Sequence, residues 1–151
     1  MGNERFYVEL EGFDELIQDL DTMSHKGEKV VDSALKEAGK IFLNLALPLI
    51  NYSNRNSDKH LKDAMRVSQI KRDDAGEKYV SVGTYLGNGN YRNKVYWGHI
   101  VEGGHRIVTK SGKVVGYVAA KPFMQPAYER GQDAATKVIA DKVFGAMGLD
   151  K

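Results

Sequence analysis

The first periodicity along the chain is short. Phe6-Tyr7-Val8-Glu9-Leu10-Glu11 alternates apolar with polar positions, the period of a strand, and Gly12 ends it. The period then lengthens. Phe13, Leu16, Ile17, Leu20 and Met23 recur at helical spacing, with Asp14 and Glu15 where a first turn favours acids. After Ser24-His25-Lys26-Gly27 a longer stripe begins: Val31, Ala34, Leu35, Ala38, Ile41, Phe42, Leu45 and Leu49 mark one face of about six helical turns. Pro48 has no N–H and crowds the turn before it, so this helix must kink or end near it.

The polar cluster at 51–58 predicts a loop, and 60–64 can form one helical turn. Residues 65–71 and 78–84 read as two strands across the polar connection Arg72-Asp73-Asp74-Ala75-Gly76-Glu77. The stretch 85–93 is rich in Gly and Asn and is expected to be mobile. Val95-Tyr96-Trp97-Gly98-His99-Ile100-Val101 is the most apolar segment of the second half and belongs to the core. Residues 106–109 and 114–118 flank Lys110-Ser111-Gly112-Lys113, a second hairpin. A closing helix follows. Pro126 suits its first position, while Ala127, Gly131, Ala134, Ala135, Val138, Ile139 and Val143 line one face. Gly148 stands where a left-handed cap wants glycine.

This order predicts an α+β fold in one domain over 1–151. Two N-terminal helices and a long C-terminal helix pack on a mostly antiparallel sheet, with mobile loops near 51–59, 85–94 and 103–120. A length of 151 residues leaves no room for a second core, and 42% apolar with 28% charged residues is ordinary for a globular chain. No apolar run approaches the roughly 20 residues that span a bilayer, and the N-terminus lacks the order of a secretion signal. With no cysteine, disulfides, thiolate metal sites and a thiol nucleophile are excluded.

The net charge of +2 hides a polarity. Residues 1–51 hold ten acids against five bases, and 85–151 hold five acids against ten bases. That polarity can orient the chain toward an acidic partner, although a mixed solvated surface explains it as well.

Catalytic signals are weak. His99 and His105 flank Glu102, but histidines six apart do not share a helix face, and Gly103-Gly104 interrupts any strand through both. The glycines of 83–91 lack the Lys-Ser/Thr of a phosphate-binding loop. Glu102 has no nearby acid with which to form a catalytic pair, and no Gly-x-Ser-x-Gly elbow exists. The sequence therefore gives an enzyme no residue to rest on, and it implies no cofactor or metal.

Nucleic acid has more support. Arg55, Lys59, Lys62, Arg66, Lys71 and Arg72 are basic, and Tyr91, Arg92, Lys94, Tyr96 and Trp97 interleave bases with aromatics. Still, a pI near 8.7 lies below the range of a dedicated binder.

Two blocks, taken in order, carry a resemblance. The first is His60-Leu61-Lys62-Asp63-Ala64-Met65-Arg66-Val67, followed by a hairpin ending in Val80-Ser81-Val82-Gly83. The second runs from Tyr96 through Val101-Glu102-Gly103-Gly104 and a basic hairpin to Lys121-Pro122-Phe123-Met124-Gln125-Pro126-Ala127. Together they resemble the tail-completion, or head–tail joining, family of long-tailed bacteriophages and prophages. Leu61, Gly83, Tyr96, Glu102, Gly103, Pro122, Phe123, Pro126 and Ala127 are the motif positions. Two departures stand out: Gly103-Gly104 replaces the usual Gly-Thr, and Asp58-Lys59-His60 replaces a Thr-Gly. Read physically, Gly103-Gly104 permits a bend, Phe123 is a bulky anchor, and Glu102 either pairs with a base or caps backbone amides.

The resemblance implies a non-enzymatic virion assembly protein, made in the host cytoplasm and sited at the head–tail junction or tail. Its expected partners are the head–tail connector, tail tube or terminator proteins, and further copies of itself in a ring. Arg92, Lys94, Arg106, Lys110 and Lys113 are then candidate interface or DNA-channel residues. A small basic nucleic-acid-binding protein is the alternative.

Overall fold

A computed structural model describes residues 24–51, 60–84, 95 and 98–148. The strand expected at 6–11, the helix expected at 13–23 and the loops at 52–59 and 85–94 lie outside the described residues.

Helix α1, Ser24–Ala46, starts a turn earlier than the apolar stripe indicated, taking Ser24-His25-Lys26-Gly27 into the helix. It ends where Pro48 requires. The N–H that Pro48 lacks is the one that would have reached residue 44, and the chain tightens into a 3-10 turn at Leu47–Leu49. Val31, Ala34, Leu35, Ala38, Phe42 and Ala46 are buried along α1, in steps of three and four. A single turn, α2 at Leu61–Ala64, follows.

The two central arms form one hairpin broken in the middle. β1 (Arg66–Val67) pairs antiparallel with β4 (Val82–Gly83), and β2 (Lys71–Arg72) pairs with β3 (Lys78–Tyr79). Between the two ladders, residues 68–70 on one arm face only 80–81 on the other, so the first arm carries one extra residue. Ser68 closes the joint. Its N–H donates to the Ser81 carbonyl at 2.8 Å, and its Oγ accepts the Ser81 N–H at 2.9 Å. At the tip, the Asp73 carboxylate accepts the Glu77 N–H at 2.8 Å and Gly76 takes φ +87°.

The last helix, α4 at Met124–Ala146, buries Met124, Ala127, Gly131, Ala135, Ile139 and Val143. From Ala127 onward these step by four, a narrower stripe than the sequence indicated: Ala134 is exposed and Val138 half-buried. Gly148, at φ +70°, follows its end. Pro126 is the third helical residue rather than the first, for a reason found in the cap described below.

α4 packs chiefly against α1, not against strands as the sequence order suggested. The helices run antiparallel, with Lys142 Nζ 3.1 Å from a Glu37 carboxylate oxygen at one end and the Phe42 and Tyr128 rings stacked 5.8 Å apart toward the other. Gly131 makes the close approach possible. A Cβ there would lie 2.9 Å from both Phe42 and Leu45 side-chain carbons.

The broken hairpin lies on a different face of α1. A Cβ on Gly39 would meet Val67 Cγ1 at 2.7 Å. Two ion pairs tie the hairpin's far end to the start of α1: Lys78–Asp32 at 3.0 Å and Arg72–Glu28 at 3.3 Å. The class is α+β, with every ladder antiparallel. Among the described residues the strands form three two-stranded ladders rather than one continuous sheet.

Candidate interaction surface

Helix α3, Gly98–Gly103, is short and ends at a bend. Glu102 sits in its last turn, buried at 7% exposure. Its carboxylate accepts three backbone N–H groups: Phe123 at 2.7 Å, Met124 at 3.0 Å and Gln125 at 3.0 Å. Of the two roles the sequence left open, the structure shows the amide cap. A helix leaves four N-terminal donors without intrahelical partners. Here Glu102 takes the N-cap residue and the first two helical residues, and Pro126, third in the helix, has no N–H to satisfy. That is why α4 begins two residues before Pro126 (charge-assisted bonds from a buried carboxylate hold the extra turn).

The same cap fixes the base of a second hairpin. Gly104 takes φ +70°, and a Cβ on it would fall 2.6 Å from the Val118 carbonyl oxygen and 2.7 Å from the Ala120 nitrogen. Lys121 N–H donates to the Val101 carbonyl at 2.8 Å. The chain therefore leaves α3 and returns to the same point before entering α4.

Between those points stand β5 (His105–Val108) and β6 (Val114–Val118). Their register pairs His105 with Val118, Arg106 with Tyr117, Ile107 with Gly116 and Val108 with Val114, with a one-residue irregularity after Ile107. The turn repeats the construction of the first hairpin. Thr109 Oγ1 accepts the Lys113 N–H at 3.1 Å, and Gly112 takes φ +85°. Segment 103–120, expected as a loop around a hairpin, is thus largely a hydrogen-bonded ladder.

What distinguishes this ladder is its exposure. Ile107 is 45% exposed, Val108 52%, Val115 59% and Tyr117 75%. The register places Ile107 and Val118 on one face and Val108 and Tyr117 on the other, so apolar side chains occupy both. A two-stranded ribbon with neither face covered is marginal in water, and a contiguous exposed apolar surface marks an interaction site. Arg106, Lys110 and Lys113 are exposed on the same element, and 103–121 contains no acid.

Among the described residues, the motif positions serve packing and chain direction. Leu61 and Phe123 are buried, and a Cβ on Gly98 would meet Leu61 Cδ1 at 3.4 Å and Phe123 Cζ at 3.9 Å, so α2, α3 and the start of α4 share one knot. Ala127 is fully buried, Gly83 is buried in β4, Pro126 is half-buried, and Gly103 and Pro122 are exposed. His99 and His105 are exposed, and both oxygens of the intervening Glu102 are engaged by amides. Tyr96, Arg92 and Lys94 lie outside the described residues.

The sequence reading missed Ile107, Val108, Val115, Tyr117 and Val118 as surface. The signal was present: a ribbon apolar on both faces needs a cover on both, and the chain had few elements left to supply it. It also missed the buried Lys78 and its partner Asp32, which only the fold brings together.

A model of the HK97-gp10-like family, described as "Bacteriophage HK97-gp10, putative tail-component", matches residues 14–104. The chain belongs to this phage tail-component family. The exposed hairpin and α4 follow the matched region, which closes at the Gly104 bend. A tail component of a bacteriophage is a structural protein of the virion, in keeping with the coarser part of the resemblance. Neither the curated proteins nor the solved structures gave a significant match. Among the described residues, no helix is long and apolar enough to cross a membrane.

Proposed function

We propose that this tail component completes the tail for joining to the head, acting without catalysis as one subunit of a ring. The observation that carries the reading is the β5–β6 ribbon: braced at its base by Glu102 and Gly104, yet apolar and uncovered on both faces. An element built that way suits docking to another protein. A ring needs two different complementary surfaces on each subunit, because its contacts are heterologous. The opposed charge of the chain's first third and its second half supports such a pair. The head–tail connector and the tail tube or terminator proteins are the partners, and assembly takes place in the host cytoplasm.

DNA contact is a second reading of the same element, favoured by Arg106, Lys110 and Lys113 in a stretch without acids. The ribbon's apolar faces weigh against DNA as the main partner, since backbone binding uses charge and polar groups in a wet interface.

Deleting the gene in the phage or prophage that encodes it tests the reading. Filled heads and separate tails of normal length, joined again when the chain is supplied in trans, are the expected particles in electron micrographs. Joined particles in the deletion strain would remove it from the junction.

A further inference from the structure

Helix α1 turns all its acids into the fold. Glu28 pairs with Arg72, Asp32 with Lys78 and Glu37 with Lys142. Its lysines are treated differently. Lys29, Lys36 and Lys40 are exposed and, among the described residues, enter no ion pair. Helical spacing puts them with the half-buried Leu43 on one stripe, on the side of α1 turned from α4.

Helix α4 carries the counterpart. Pro126, Glu129, Asp133 and Ala140 line the face opposite Gly131, the residue that meets α1. Glu129 accepts only Gln125 of its own helix, at 3.0 Å, and Asp133 enters no ion pair among the described residues. Arg130 and Lys137 lie to one side of this stripe.

The two stripes have the same spacing in opposite directions. Lys29, Lys36, Lys40 and Leu43 stand at intervals of seven, four and three; Pro126, Glu129, Asp133 and Ala140 stand at three, four and seven. Laid antiparallel, Leu43 meets Pro126, Lys40 meets Glu129, Lys36 meets Asp133, and Lys29 meets Ala140 beside Asp141. We infer that the lysine stripe of α1 packs antiparallel on the acidic far face of α4 of a neighbouring copy, linking subunits head to tail. This deepens the self-association in the proposed function and rests on it.

Within one chain the stripes cannot meet, because α1 and α4 already face each other through Phe42 and Gly131. Like pairings fail as well. Two α1 helices would set lysines against lysines, and two α4 helices acids against acids. Only the unlike contact is complementary, and repeating it leaves one open surface at each end, as a ring requires. Exposed pairs contribute little affinity one by one, so these charges chiefly fix partner and register. Duplex DNA would suit the lysines, but it gives the matched acids of α4 no role.

Charge exchange on the full-length chain tests the contact. One variant carries Lys36→Glu and Lys40→Glu, the other Glu129→Lys and Asp133→Lys. All four positions are exposed, so both variants should melt like the unmodified chain. Each alone should self-associate about tenfold more weakly in light scattering, because its own two stripes now repel. Mixed in equal amounts, they should associate as the unmodified chain does. A second measurement is independent of charge exchange. The chain has no cysteine, so Lys36→Cys and Asp133→Cys variants, one carrying a size tag, are mixed and oxidised, with Asp74→Cys replacing Asp133→Cys as control. A mixed disulfide dimer well above the control supports the inference.

Self-association that neither charge variant weakens, with no mixed disulfide above control, overturns the helix contact and leaves the ring standing. Loss in the lysine variant alone, or loss that mixing does not restore, also overturns it. Binding of labelled duplex DNA that the lysine variant loses would then assign that stripe to nucleic acid. An unmodified chain that stays monomeric at every concentration and yields no mixed disulfide overturns both the contact and the ring.

Discussion

Glu102 accepts the backbone N–H of Phe123 at 2.7 Å, across a hairpin that separates them by 21 positions. The bond does two things. It starts α4 two residues before its proline, and it fixes the two ends of the exposed ribbon to each other. Of the two roles its sequence context allowed, pairing with a base or capping backbone amides, Glu102 takes the second.

Removing that cap should be costly. Glu102→Ala leaves three backbone donors without their acceptor, those of Phe123 and Met124 buried and that of Gln125 partly so, and each bond to a charged group contributes about 1.5–3 kcal/mol. After partial rescue by water, urea denaturation should show a loss of about 3–5 kcal/mol, at the upper end for single substitutions. Glu102→Gln keeps one acceptor oxygen and should fall between. A loss under about 1 kcal/mol for the alanine variant would contradict the cap.

The two ion pairs that fasten the first hairpin to α1 should behave differently. The Lys78 side chain is 5% exposed, so Asp32→Ala strands a buried ammonium and should destabilise by about 2–4 kcal/mol. Arg72 and Glu28 are 47% and 43% exposed, and Glu28→Ala should cost less than about 1 kcal/mol. Melting curves of the two variants side by side check the ordering. Equal effects would mean that Lys78 is better hydrated than its burial indicates.

Gly131 sets the spacing of the helix pair. Alanine would gain helix propensity of about 1 kcal/mol but must displace Phe42, whose ring is held by Tyr128. Gly131→Ala should be near neutral or mildly destabilising, and Gly131→Val should lose about 3 kcal/mol or more through overpacking. Chemical denaturation distinguishes these outcomes. A stabilised valine variant would show that the helices can separate freely.

The ribbon should separate stability from assembly. Tyr117→Ser changes a side chain that is 75% exposed and should move the unfolding free energy by no more than about 0.5 kcal/mol. Incorporation into particles should nevertheless fall. Wild-type incorporation by Tyr117→Ser and Val115→Ser variants would exclude the ribbon as a docking element.

Much of this architecture follows from local pattern. The stripe in α1 and the Pro48 stop are readable because a helix repeats its core positions every three or four residues and proline cannot continue it. Both hairpins are readable because glycine marks the positive-φ position in each turn, at Gly76 and Gly112. The sequence alone likewise determined the ordered motif blocks that lead to the family. Tertiary structure decided the rest. That α4 rests on α1 depends on Gly131 facing Phe42, a relation between residues far apart in the chain. The role of Glu102 depends on the return of the chain to Phe123, because a carboxylate's function is set by what reaches its oxygens. The exposure of the β5–β6 ribbon depends on which elements are left to cover it, and burial belongs to the whole fold rather than to any segment.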